Sequence, residues 1–186
     1  MGRWEPDARG RLVLAAGELF LIRGFDATTV AEIAGRAGVS ERTFFRHFAD
    51  KREVLFEGGG ELRDLLVTAL DESPVGTPPI VAVATALEVV GEFFEPRREF
   101  ARWRQQLIAA HPELHERELI KLAGLAVAIA DGLRRRGVSD IAATLAAEAG
   151  IAVFRVAFDR WTSGDRELVA LLREAFDELR TVAAGG

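Results

Sequence analysis

Residues 28–52, TTVAEIAGRAGVSERTFFRHFADKR, hold two apolar-periodic runs on either side of a glycine-centred turn. Each run is too short to persist as a helix alone, so the stretch dictates a small multi-helix unit packed around it. Thr28 and Thr29 offer hydroxyls to cap a helix that buries Val30, Ile33, Ala34 and Ala37. Gly38 accepts a left-handed backbone without steric cost, Val39 is placed to fill the angle between the helices, and Ser40 is a good cap for the next one. So short a connection between two such helices is the helix-turn-helix pattern.

The second helix, residues 41–48, buries Phe44 and Phe48 at a spacing of i, i+4 and leaves Arg42, Thr43, Phe45, Arg46 and His47 to a partner. That mixture of cations, hydroxyl and aromatic suits a DNA major groove roughly 12 Å wide. Asp50 then caps a further helix with Lys51 in its first turn, an arrangement that can clamp a phosphate. Upstream, residues 7–23 read as a helix with Leu12, Ala15, Ala16, Leu19 and Phe20 on one face and Pro6 just before it; Gly24-Phe25 ends it and sends Phe25 into the core.

Taken together, GELFLIRGFDATTVAEIAGRAGVSERTFFRHFADKREVLF resembles the N-terminal DNA-binding domain of the TetR family of one-component transcriptional regulators. The resemblance covers the first quarter to third of the chain and implies an operator contact through Thr28, Thr29, Ser40, Arg42, Thr43, Phe45, Arg46, His47 and Lys51. Two positions depart from the family pattern. Phe45 stands where the family commonly has a tyrosine whose hydroxyl reaches a phosphate, which leaves apolar contact with a thymine methyl or a sugar. Glu41 replaces a basic residue and is either a favourable charge at the helix start or a reader of cytosine N4.

Charge sharpens this reading. The chain carries a net charge of −5, but residues 1–56 hold nine basic and eight acidic side chains, so the acidity belongs to the rest. With so weak a positive footprint, DNA affinity must come from local placement of Arg42, Arg46, Lys51 and the N-terminal arginines Arg3, Arg9 and Arg11. Absence of cysteine excludes disulfides, thiolate metal sites and cysteine nucleophiles. No secretory leader and no uninterrupted apolar run long enough to span a bilayer is found, so the expectation is a soluble, cytoplasmic protein with no membrane partner.

Beyond the first domain, residues 1–52, lies an expected helical ligand-binding and dimerisation domain, residues 53–186. A fourth helix is expected over residues 51–71; its Gly58-Gly59-Gly60 is either a hinge or a close approach to a neighbouring helix. After the proline-rich loop SPVGTPP, helical patterns cover residues 79–94, 96–110, 112–136, 140–163 and 165–182, and no strand pattern appears. The fold class is therefore all-α, with about nine helices. The last two helices are rich in small and apolar residues: Ala142, Ala143, Ala146, Ala147 and Gly150, then Leu168, Leu171, Leu172, Ala175, Phe176 and Leu179. In TetR-like proteins such a pair forms a four-helix bundle with its two-fold mate, which implies a homodimer on a palindromic operator; burial within the chain's own core is the alternative.

Aromatics gather in the second domain, with Phe154, Phe158 and Trp161 on one helical face; they line a cavity or fill a core. From RWRQQLIAAHPELHERELIKLAGLAVAIADGL to AVFRVAFDRWTSGD the chain resembles a TetR subgroup that includes mycofactocin-type regulators with an acyl-CoA-responsive C-terminal domain. That resemblance implies an elongated apolar effector, with Phe93, Trp103, Leu107, Phe154, Phe158 and Trp161 as its lining. Arg97, Arg98, Arg102 and Arg104 either bind CoA phosphates or form a solvated helix face. His111, His115 and Glu118 superficially resemble a metal set, but Pro112 makes the two rings diverge. No nucleophile with its base and no phosphate-cradling glycine loop is present, so neither an enzyme nor a cofactor is expected. The reading is a ligand-released repressor; the alternative is a small-molecule-binding dimer of the same fold without operator binding.

Overall fold

Every helix start in the first unit carries a side-chain cap. Asp7 caps α1 (Ala8–Arg23) by accepting from Gly10 N at 2.8 Å. Thr29 and Glu32 form a capping box on α2 (Val30–Arg36). Ser40 caps α3 (Glu41–His47), and Asp50 caps α4 (Lys51–Val54). Thr28 does not share the capping role expected of it; its side chain is buried, and its hydroxyl donates to the carbonyl of Gly24 at 2.8 Å. Between α2 and α3, Gly38 adopts a φ of +69° and Val39 N reaches back to Ala34 O at 3.0 Å, closing α2 as the sequence expected.

The computed structural model describes residues 7–185, so Arg3 and Pro6 lie outside the described residues. It divides into two units, Met1–Gly58 and Gly59–Gly186. The division falls after Gly58 rather than after Arg52, and Glu57 still pairs with Arg9 of α1 through two hydrogen bonds of 2.6 Å. The expected fourth helix is accordingly two: α4 stops, Gly58 turns with a φ of +87°, and α5 (Gly59–Asp71) begins. A Cβ at Gly58, Gly59 or Gly60 would meet nothing within 4 Å, so the glycines are not there to admit a neighbouring helix. The core of the first unit joins Leu12, Ala16 and Phe20 of α1, Ile33 of α2 and Phe44 of α3, with Phe25 against Phe20 at 5.2 Å and Phe48 against Phe44 at 5.6 Å.

In the second unit α6 (Pro79–Phe94) is followed by a 3-10 turn (Glu95–Arg97) and by α7 (Arg98–Ala110), α8 (Pro112–Arg135), α9 (Asp140–Ser163) and α10 (Leu168–Ala183). No strand occurs among the described residues, and splitting the fourth helix brings the number of α-helices among them to ten. By length and a mean hydropathy of 1.7, α9 alone would pass for a membrane span. Its apolar side is instead used in the core, where Ala143, Ala147, Ile151, Phe154, Ala157 and Trp161 are buried.

That burial extends to most of the small and apolar residues named for the last two helices. Ala143, Ala146, Ala147 and Gly150 of α9 and Leu168, Leu171, Leu172 and Phe176 of α10 all belong to the unit's own core. The outward side of α10 is charged, with Arg173, Glu174, Asp177, Glu178 and Arg180, whereas α9 presents Ile141, Leu145 and Val156 to solvent. Gly150 is where α9 meets α6: a Cβ there would stand 2.4 Å from Val83 Cγ1. Gly150→Ala is therefore expected to destabilise the unit by about 1–2 kcal/mol, against a gain of about 1 kcal/mol from helix propensity alone. Urea unfolding of the variant reads the sign directly; a stabilised variant would mean that the two helices do not approach this closely.

Candidate functional site

Ser40 sets the geometry of α3. Its hydroxyl accepts from Thr43 N at 3.2 Å and lies 3.0 Å from Thr43 Oγ1, so Ser40 and Thr43 brace the helix start together. With Phe44 and Phe48 drawn inward, Arg42, Phe45 and Arg46 fall at i, i+3, i+4 on the outward face, all exposed. Phe45 is 55% exposed, and its edge contact with Phe44 at 5.5 Å holds its orientation. Arg46 lies 3.4 Å from His47 Nε2, and Arg42 has no partner among the described residues. Glu41 sits in the first turn of α3, where its charge favours the helix dipole. Thr29 is exposed at the start of α2, with its hydroxyl 2.9 Å from Glu32 Oε2. The backbone N–H of Thr29, then its hydroxyl and Arg23, hold the Glu32 carboxyl below its ordinary range.

Three expected contributors are committed elsewhere. The Lys51 ammonium donates to the carbonyls of Phe25 at 2.7 Å, Thr28 at 2.9 Å and Asp26 at 3.3 Å, and it lies 4.5 Å from the Phe25 ring centre. With three donors and three carbonyls, it ties α4 to the loop between α1 and α2 instead of facing a phosphate. Arg9 binds Glu57 and packs over Phe48 at 5.0 Å; the hydrogen bond to Glu57 raises its pKa further. Arg11 donates to Ala37 O at 3.1 Å. The signal for Lys51 was available in part, because exposed carbonyls after a helix ending in Gly24 need a donor, but the reach of a side chain across 26 residues is not periodic.

In the second unit the six expected lining residues separate. Trp161 is fully buried, and Phe94 links it to Phe154 and Phe158 with ring centres 5.2 to 6.3 Å apart, so these aromatics form core. Phe93 lies under the Arg97 guanidinium at 4.0 Å, Trp103 packs on Phe100 at 5.5 Å, and the Leu107 carbonyl lies 2.9 Å from His111 Nδ1. Only Phe154 and Phe158 border a cleft, of ≈ 80 Å³, between α7, α8 and α9; Gln105, Ile108 and Leu122 complete its floor and Glu118, Arg155 and Asp159 its rim.

The arginine run is neither a solvated face nor a free anion site. Arg98 donates to the carbonyls of Gly164 and Arg166, and Arg102 to those of Thr162 and Gly164, capping the end of α9. Arg104 makes two hydrogen bonds to Glu118, of 3.2 and 2.7 Å, and Arg97 donates to Phe93 O. Of the apparent metal set, His111 turns its ring to Leu107 and Glu118 is held by Arg104, which leaves no converging ligands.

Residues 12–57 match the model of the bacterial regulatory proteins of the tetR family, and residues 77–184, more than half of the chain, match the MftR C-terminal domain. The chain belongs to the TetR family. Among TetR-family relatives, it is 28% identical over 181 residues to MftR of Mycobacterium tuberculosis, named as a regulator of mycofactocin biosynthesis, covering 95% of this chain and 91% of MftR. The transcriptional regulator TcmR of Streptomyces glaucescens is 40% identical over 82 residues, a match that spans 44% of this chain but only 36% of TcmR. The transcriptional activator FasR of Mycolicibacterium smegmatis is 46% identical over 50 residues, or 23% of its length. Thermus thermophilus FadR, a TetR-family repressor solved with lauroyl-CoA, is 26% identical with a TM-score of 0.56 and 91% of each chain covered.

Proposed function

We propose that this TetR-family chain is a homodimeric repressor that binds a palindromic operator through α3 and is released by an apolar small molecule held in its second unit. The observation that carries the reading is the outward face of α3, where an unpaired Arg42, an exposed phenyl ring and Arg46 stand on a helix braced from within by Phe44 and Phe48. A second copy is the natural cover for Ile141, Leu145 and Val156 on α9, which replace the buried alanines as the proposed contact between protomers. Such a protein acts in the cytoplasm, where its operator is. By linkage, operator and effector weaken each other by the same factor.

For the effector, an acyl-CoA remains the first candidate because the lauroyl-CoA-binding repressor shares this fold at 26% identity. Arg98, Arg102 and Arg104, committed to carbonyls and to Glu118, are not offered as holders of the CoA phosphates.

Two substitutions separate reading from scaffolding. Arg42→Ala is expected to lower affinity for DNA upstream of the chain's own coding region by about tenfold or more with thermal stability unchanged. Lys51→Ala is expected to lower the melting temperature of the first unit, since three loop carbonyls lose their donor. Wild-type binding should weaken steeply with salt and be released by lauroyl-CoA. Wild-type protein that fails to bind would favour the dimer without operator activity, and binding without release would discard the acyl thioester.

A further inference from the structure

Gly124 stands exposed at the middle of α8, a helix of 24 residues, and a Cβ there would meet nothing within 4 Å. An interior glycine weakens a helix relative to alanine, and no contact among the described residues accounts for this one. The residues around it are arranged symmetrically by size and by charge. Ile120 and Val127, four before and three after it, are 64% and 60% exposed. Arg117 and Asp131 stand seven before and seven after, and Glu113 and Arg134 eleven before and ten after. Steps of four and three residues keep all of them on one side of the helix, in the 3.5-residue repeat by which one helix faces another. That side lies opposite Ala126, Ile129 and Leu133, which α8 gives to the unit's own core.

We propose that α8 packs antiparallel on the α8 of a second copy of this chain, with the two-fold axis passing Gly124. The inference rests on the homodimer reading and names the surface that carries the dimer. In a two-fold contact residue i meets j while j meets i. Reversal about Gly124 sets Ile120 against the partner's Val127, Arg117 against the partner's Asp131 and Glu113 against the partner's Arg134, each pairing occurring twice. A parallel arrangement would instead set Arg117 on the partner's Arg117 and Asp131 on the partner's Asp131, so the charges select the antiparallel one. At the axis the absent Cβ lets the two backbones approach closely. Arg134 is held in position by Asp131 and Asp140, donating to an Oδ1 of each at 2.8 Å. It also donates to Thr144 Oγ1 at 3.0 Å, next to the exposed Leu145, so the face continues into the α9 surface offered to the second copy. Lys121, turned about 100° from Ile120, lies at the edge, where its ammonium keeps its water.

The chain has no cysteine, so an introduced thiol reports its own neighbour. In Gly124→Cys, mild oxidation of the full chain is expected to give mostly a disulfide-linked dimer, because two Cα atoms at the axis fall within the roughly 7 Å that a disulfide spans. Glu178→Cys, on the charged outer side of α10, is expected to stay unlinked. Should a side chain at position 124 disturb the contact, Ile120→Cys combined with Val127→Cys repeats the measurement across the axis. In sedimentation equilibrium, Arg117→Asp is expected to raise the dimer dissociation constant at least tenfold, and adding Asp131→Arg to bring it back to within threefold of wild type. Such a rescue separates a contact from a folding defect. A wild-type dimer that links at neither α8 position, or whose charge reversal is not rescued, overturns the proposal alone; a monomeric wild type overturns the homodimer reading with it.

Discussion

Phe44→Ala is expected to unfold the DNA-reading unit while leaving the second unit folded. Phe44 is 0% exposed and touches both Phe45 and Phe48, with ring centres about 5.5 Å apart. Truncating a fully buried phenylalanine costs about 3–5 kcal/mol through lost transfer energy and an unfilled cavity. A unit of this size has only about 3–9 kcal/mol to lose. Scanning calorimetry of the full chain should therefore show the first unit's transition shifted sharply down or lost, with operator binding lost alongside. Phe45→Ala, one residue on, is the control: the ring is exposed, so stability should move by about 0.5 kcal/mol or less while DNA affinity falls. Comparable destabilisation by both changes would mean that α3 is not oriented with Phe44 inward.

Trp161→Ala is the corresponding change in the second unit, also with an expected cost of about 3–5 kcal/mol. The indole is fully buried, its ring lies 5.2 Å from that of Phe158, and its N–H donates to Glu95 Oε1 at 3.4 Å. Glu95 also accepts from Leu168 N at 3.0 Å, capping the start of α10 across 73 residues of chain. Burial alone would raise the Glu95 pKa, but the hydrogen bonds from Leu168, Arg98 and Trp161 and the charge of Arg98 outweigh it and hold it below the ordinary value of 4.5. A carboxylate whose folded-state pKa is depressed contributes stability fully above its unfolded value and loses it as pH falls through the folded one. Wild-type stability should thus fall on acidification below about pH 4.5, and the fall should be shallower in Glu95→Gln. Identical acid limbs for the two proteins would remove Glu95 from this role.

The first unit was largely legible because its signals are local. Gly38, Ser40 and the spacing of Phe44 and Phe48 act over one or two turns, and the structure uses each of them as expected. What escaped was set by long side chains and by choice of partner. Periodicity runs through residues 51–71, yet one positive φ at Gly58 splits the helix. A stripe of small residues on α9 announces close packing without naming the surface it packs on, and here its Gly150 meets α6 of the same chain. Arg98 and Arg102 read as either a solvated face or a phosphate site because the carbonyls they bind, some 60 residues away at the end of α9, leave no mark near them in the sequence. The outward side of α3 was therefore foreseeable from the spacing of Phe44 and Phe48, but Phe154 and Phe158 alone of the six expected lining residues border the cleft.

The strut at Lys51 also governs how the protein responds to amine-selective reagents. Only two lysines occur in the chain; Lys51 is half-buried with its ammonium bonded to three carbonyls, and Lys121 stands exposed on α8. Apart from the α-amino group, an acylating dye or resin should react at Lys121 first. It would mark the second unit at one position and leave the reading face of α3 chemically untouched.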